Sequence, residues 1–238
     1  MCEFRDHSTL SRRALVCGAG ASLVVGMVPS RSARAEDKAP LPNAIPPSEA
    51  LERLKAGNAR YVAGGSENGD YSVERTSQIE AQHPIAGVLS CAESPVPPEI
   101  LFDQAPGELF VLSNAGNVVG KYELASFEFA VTSFGIPLIF VLGLSNCSAV
   151  LTALSATVQR KQLPGNIQEL VIAIEPAVIS AHGRHASDPL AETVAENVRL
   201  GMKRLKTQSK IIGEAVMAGK LKIAGGVYDL ETGAVKLV

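Results

Sequence analysis

The residues best suited to chemistry are thiols. The chain has four cysteines, Cys2, Cys17, Cys91 and Cys147. A thiolate binds soft metals, and two nearby thiols form a disulfide in an oxidising compartment. The first two cysteines lie in a segment that reads as a targeting signal, which leaves Cys91 and Cys147 in the mature chain. Two cysteines permit one disulfide or one shared site. The histidines are weaker candidates. His182 and His185 are three apart in a polar stretch, where a replacement metal ligand is conceivable and a surface location is the better reading. His83 precedes Pro84 and reads as a boundary residue.

For two cysteines 56 positions apart to act together, the fold must bring them to one place. The pattern predicts that it does. Ile85 to Leu89 is a short apolar strand ending at Ser90-Cys91. Glu108 to Leu112 is a second strand, and Pro137 to Leu142 a third, apolar throughout and so buried on both faces. Gly143 to Ser148 reads as the loop after it, carrying Cys147. Leu221 to Tyr228 and Val235 to Val238 are the last strands, with a Thr232-Gly233 turn between them. Helices are expected at Ser48 to Tyr61, Pro98 to Phe102, Tyr122 to Phe134, Ala149 to Gln159, Gln168 to Ile179, Asp188 to Ser209 and Ile212 to Ala218, with a short one at Glu74 to Gln82. Ser48 is the expected cap of the first helix, Gly57-Asn58 an interruption within it, and Gly64-Gly65 its stop. Gly225-Gly226 suggests a bend or a close backbone approach. Helices alternating with strands predict an α/β fold with a mainly parallel central sheet flanked by helices. Ligand sites in such sheets lie at the carboxyl ends of the strands, where Cys91 and Cys147 converge.

The first 35 residues read as a signal rather than fold. Arg12-Arg13 precede an apolar stretch from Ala14 to Val28, Pro29 ends it, and Ala33-Arg34-Ala35 offers a small-x-small cleavage pattern. This resembles a twin-arginine signal peptide. The alternative is an uncleaved N-terminal anchor, for which the stretch is short. Residues 36–47 read as a Pro-rich linker and 48–238 as the folded domain. Export implies a periplasmic or otherwise external location. It also implies no membrane association once the signal is removed.

Composition narrows the function classes. Of 238 residues, 46% are apolar and 19% charged, which supports a sizeable core. A formal net charge of −2 offers no basic field for nucleic acid. No Trp and only 5% aromatic residues argue against a stacking platform for single strands.

Several ordered segments carry a family resemblance. Ser90-Cys91-Ala92-Glu93-Ser94-Pro95-Val96-Pro97-Pro98-Glu99 resembles the first zinc motif of β-class carbonic anhydrases, Cys-x-Asp-x-Arg. Phe102-Asp103-Gln104, Gly107-Glu108-Leu109-Phe110-Val111, Asn114-Ala115-Gly116-Asn117 and Ser126-Phe127-Glu128-Phe129-Ala130-Val131 resemble the segments that follow. Val141-Leu142-Gly143-Leu144-Ser145-Asn146-Cys147-Ser148 stands where the family has Gly-His-Ser-x-Cys-Gly, and Tyr228-Asp229-Leu230 with Thr232-Gly233 resembles its last hairpin. Gly57-Asn58 with Arg60 matches a family Gly-Asn-x-Arg pattern that has no evident chemistry.

The resemblance implies a zinc lyase that hydrates carbon dioxide reversibly to bicarbonate, and a homodimer or higher homo-oligomer whose N-terminal helix packs on a partner chain. In the family, two Cys and one His hold zinc, and the metal ionises a bound water near neutral pH. The motif Asp pairs with the motif Arg, which keeps it off the metal. Residue by residue, this chain keeps Cys91 and Cys147, but has Leu144 at the His position, Glu93 at the Asp position and Pro95 at the Arg position. Phe129, Ser113 and Ser148 are further departures, from a tyrosine, an arginine and a glycine. Leucine has no donor atom, and proline cannot form a forked pair with a carboxylate.

Three expectations follow. One is an anhydrase whose metal ligands are Cys91, Cys147 and Glu93, with Glu93 also the catalytic carboxylate and activity reduced. Another is a metal-free pseudoenzyme that binds a small anion or serves in assembly. A third, compatible with the second, is a Cys91–Cys147 disulfide: two thiolates on one zinc lie roughly 3.7 Å apart, so bonding needs only a modest closing motion.

Overall fold

The computed structural model describes residues 43–67, 82–184 and 186–238. The signal, most of the linker, the expected helix at 74–82 apart from its last residue, and His185 lie outside the described residues.

Five strands form one sheet in the order β2-β1-β3-β4-β5. They are β1 (Ala86–Cys91), β2 (Leu109–Asn114), β3 (Leu138–Leu144), β4 (Lys222–Tyr228) and β5 (Val235–Leu237). The first four run parallel and β5 pairs antiparallel with β4. The central strands β1 and β3 are buried along their whole length, as their unbroken apolar runs require. β3 extends two residues beyond the strand expected from sequence, so Leu144 belongs to the sheet, in register with Tyr228, rather than to the following loop.

Helices cover both faces. One face carries α1 (Pro47–Val62) and α2 (Pro98–Leu101), which bury Leu54, Leu101 and Phe102 against Phe140 of β3. Phe102 and Phe140 meet edge to face with centroids 5.4 Å apart. Burying each ring contributes about 1.5–3 kcal/mol. Behind the other face lie α3 (Lys121–Phe129), its π-helical continuation Ala130–Phe134, and α6 (Pro189–Gln208) with α7 (Lys210–Met217). Gly135 ends the π turn in the left-handed region. α4 (Ser148–Gln159) and α5 (Ile167–His182) pack beside α6. Gly225 leaves room for Val198 of α6, and Gly226 for the Lys236 carbonyl of β5, so the paired glycines mark close approach. Among the described residues no helix is long and apolar enough to cross a membrane.

Three local expectations need correction. Ser48 does not cap α1. Pro46 holds the cap position and Pro47 opens the helix, because a missing N–H and a fixed φ suit the first turn. Gly57-Asn58 does not interrupt α1, which runs unbroken through both. There the helix meets α2 so closely that a Cβ on Gly57 would lie 1.7 Å from the Phe102 carbonyl oxygen. Asn58 donates to the carbonyls of Leu101 (3.2 Å) and Gly233 (3.0 Å) and accepts from the Val235 N–H (2.8 Å). Arg60 Nε donates to the buried Asp103 at 2.5 Å. The Gly-Asn-x-Arg run is thus a clamp that locks α1 onto its own chain. Finally, α5 is three residues longer at its C-terminus than expected and passes through Pro176. Pro176 and Ile172 face solvent, so the carbonyl that the proline leaves unbonded lies on the solvent side of the helix.

Candidate metal centre

The sheet delivers the two cysteines as its topology requires. Cys91 is the last residue of β1, and Cys147 caps α4 just after the neighbouring strand β3. Both are buried, at 2% and 0% exposure. Their sulfurs lie 3.5 Å apart and are not bonded to each other. That separation matches the roughly 3.7 Å of two thiolates on one zinc far better than the ~2.05 Å of a disulfide.

Glu93 completes the group. After Cys91 the chain turns, with the Ser94 N–H on the Cys91 carbonyl, and this swings Glu93 across to the start of α4. Its Oε2 accepts the Ser148 N–H at 2.8 Å. A carboxylate there satisfies one of the free amides of the helix end and meets the positive end of its dipole. The donor atoms of Cys91, Glu93 and Cys147 all lie within 4.8 Å of one another.

Backbone amides make the site hospitable to sulfur anions. The Gly116 N–H donates to Cys91 Sγ at 3.4 Å. The first amides of α4, at Ala149 and Val150, favour negative charge on Cys147. The hydrogen bond between the two sulfurs splits the pair: it draws the Cys91 thiol down, against the opposing effect of burial, and together with burial it pushes Cys147 up. Two thiolates side by side repel, and a cation between them removes that conflict.

Leu144 is buried in the core at the end of β3, and its register partner Tyr228 is also buried. Burial raises the Tyr228 hydroxyl to about 12, helped by a hydrogen bond with Tyr61. No cation pairs with Glu93 among the described residues, since Pro95 offers none. His182 is exposed on the last turn of α5, and the donor group contains no histidine.

The structure therefore brings together Cys91, Cys147 and Glu93, as the motif positions suggest. It adds Ser148, Gly116 and Asn197, which sequence reasoning did not assign to the site. Gly116 sits at φ +72 in the turn after β2. Asn197, buried in the middle of α6, donates to the Gly116 carbonyl at 2.7 Å. Its one sequence signal is an amide between the buried Val194 and Val198, where a polar group needs a partner.

Comparison with known proteins agrees with this geometry. A family model described as carbonic anhydrase matches residues 86–235. A carbonic anhydrase of Mycolicibacterium smegmatis is 37% identical over 199 residues, 83% of this chain and 95% of that protein. Carbonic anhydrase 2 of Mycobacterium tuberculosis is 36% identical over 195 residues, 81% of this chain and 93% of the other. Among solved structures, the β-carbonic anhydrase CcaA superposes with a TM-score of 0.63 at 26% identity, covering 80% of this chain and 92% of its own. The Coccomyxa β-carbonic anhydrase in complex with acetazolamide gives 0.59 at 25% identity, with 80% and 82% covered. With its sheet, its paired cysteines and these relatives in agreement, the chain belongs to the β-carbonic anhydrase family.

Proposed function

We propose that this protein is an exported, zinc-binding β-carbonic anhydrase homologue in which carbon dioxide hydration is weak or lost. The observation that carries this reading is the donor set: two cysteines and Glu93 stand together, and the buried residue at the family's histidine position, Leu144, has no donor atom. Cys91, Cys147 and Glu93 would hold the metal. Zinc, when bound, supplies a Lewis acid that lowers the pKa of a coordinated water.

The chain's own residues work against that use. Two thiolates and a carboxylate place three negative charges around a dication, one more than a Cys2His set does. Excess anionic charge raises the pKa of a bound water. No arginine draws Glu93 aside, because position 95 is proline. The carboxylate instead accepts the Ser148 amide and stays within reach of both sulfurs, as a ligand rather than a partner for a bound water.

A second reading has a specific observation behind it. With sulfurs 3.5 Å apart and export to an oxidising compartment, a metal-free form would close to a Cys91–Cys147 disulfide and serve as a binding or assembly protein. Homo-oligomerisation belongs to either reading. Tyr122 and Phe129 stand 79% and 54% exposed on α3, and Phe129 meets edge to face with Phe134, which packs on Phe110 of the edge strand β2.

Metal and thiol stoichiometry on protein recovered from the periplasm tests the proposal, alongside N-terminal sequencing for a chain beginning after Ala35. One zinc per chain with two thiols released by denaturation in chelator is expected. A stoichiometric disulfide without metal would select the second reading. A chain retained in the cytoplasm with residue 1 intact would remove export.

A further inference from the structure

Building on the zinc-binding reading, we infer that Asn197 is a positioning residue for the metal centre: it grips the Gly116 carbonyl and thereby holds the Gly116 N–H on the Cys91 sulfur. Asn197 belongs to α6 and is 81 positions from Gly116 in sequence. Its side chain is 3% exposed, and a buried amide of this kind is costly unless bonded. Its Nδ2 meets the Gly116 carbonyl at 2.7 Å, and the Gly116 N–H meets Cys91 Sγ at 3.4 Å.

The two Gly116 groups belong to adjacent peptide planes that pivot on one Cα. At φ +72 this residue lies in the left-handed region, and as a glycine it could leave that region with little penalty. Fixing the carbonyl removes that freedom and aims the amide. Asn114 braces the ends of the same turn, accepting from the Val118 N–H at 2.8 Å and donating to the Val118 carbonyl and to Glu123, so its side-chain bonds go elsewhere than Gly116. Ile174 and Ala149 wall the turn, within 3.0 and 3.4 Å of where a Cβ on Gly116 would sit. Space is thus restricted by packing and direction by Asn197.

The consequence for the metal is electrostatic. An N–H aimed at a thiolate withdraws charge from it, and outer partners of this kind typically change metal affinity 10–100-fold. The effect matters more where the donor set carries excess negative charge, as Cys91, Cys147 and Glu93 do together.

The test compares Asn197→Leu with Thr193→Val. Thr193 is fully buried one turn earlier on α6 and its hydroxyl bonds the Pro189 carbonyl, so its loss loosens the same helix and removes no hydrogen bond to Gly116. Zinc affinity is measured by chelator competition, the cobalt-loaded protein by its thiolate charge-transfer band, and the metal-free protein by the Gly116 amide proton resonance. Asn197→Leu should weaken zinc about 10–100-fold, shift the cobalt band and move the Gly116 resonance. Thr193→Val should lower stability and leave all three unchanged. Wild-type affinity and an unmoved Gly116 resonance in Asn197→Leu would overturn the inference, as would equal zinc loss in Thr193→Val. If wild type binds no zinc, the zinc reading fails on its own, and the Gly116 resonance still decides whether Asn197 aims the amide. Should Asn197→Leu not fold, Asn197→Ser, too short to reach the carbonyl, carries the same measurements.

Discussion

Replacing Gly57 with alanine pits helix propensity against a tertiary contact. In an isolated helix Gly→Ala stabilises by about 1 kcal/mol. Here the new Cβ would lie 1.7 Å from the Phe102 oxygen and 2.6 Å from its carbonyl carbon, both backbone atoms. Neither can rotate away, so α1 and α2 must separate by roughly 1 Å or more. Asn58 is the next residue: its 3.2 Å bond to Leu101 spans the same junction, and its bonds at 3.0 and 2.8 Å to Gly233 and Val235 tie α1 to the β4–β5 hairpin. Overpacking of this type costs about 1–3 kcal/mol, and each weakened hydrogen bond about 1 kcal/mol. Net of the helix gain, Gly57→Ala should destabilise by about 2–4 kcal/mol. For a domain of this size that lowers Tm by roughly 5–15 °C. Calorimetry or thermal denaturation followed by circular dichroism reads it directly. An unchanged or raised Tm would mean that α1 does not press on α2 as described.

Other outcomes follow from the same geometry. Glu93→Gln keeps an acceptor for the Ser148 N–H and loses the charge, whereas Glu93→Ala loses both. Zinc competition should show at least tenfold weaker binding in both. Only the alanine variant should lose about 0.5–1 kcal/mol from the α4 end by denaturant titration. Zinc binding in Glu93→Gln equal to wild type would remove Glu93 as a ligand. Glu196 is buried, which alone would raise its pKa, but Ser180, Arg199 and Arg184 hold it below the usual range. A depressed carboxyl contributes stability above the unfolded value of about 4.3 and loses it as pH falls through the folded value. Glu196→Gln should therefore flatten the acid limb of the stability profile below about pH 4.5 and leave its slope near pH 7 unchanged. An unchanged acid limb would show that this cluster does not couple to folding.

Much of this was legible in the sequence because period and topology are local properties. The apolar runs at 85–89 and 137–142 read as strands of a parallel sheet, and parallel strands deliver their ends to one edge, where Cys91 and Cys147 meet. What was not legible depended on contacts distant in sequence. Ser48 looks like a cap, but Pro47 already opens the helix. Gly57-Asn58 looks like a break until Phe102 and the β4–β5 hairpin are placed against it. The helix through Pro176 was legible, but its last turn to His182 was not. The acceptor role of Glu93 toward Ser148 needs the turn at 92–94 and the start of α4 together. Asn197 carries no motif at all, and only its burial beside Gly116 gives it a role.

The central claim is that this donor set does not support efficient hydration. Stopped-flow carbon dioxide hydration tests it most directly, on zinc-loaded wild type and on the variant combining Leu144→His, Pro95→Arg and Glu93→Asp, with zinc content measured on each sample. The wild-type rate should lie close to the uncatalysed background and the triple variant should gain at least about tenfold, since a neutral ligand and a paired carboxylate restore an ionisable water. A fast wild type, with the triple variant no faster, would contradict it.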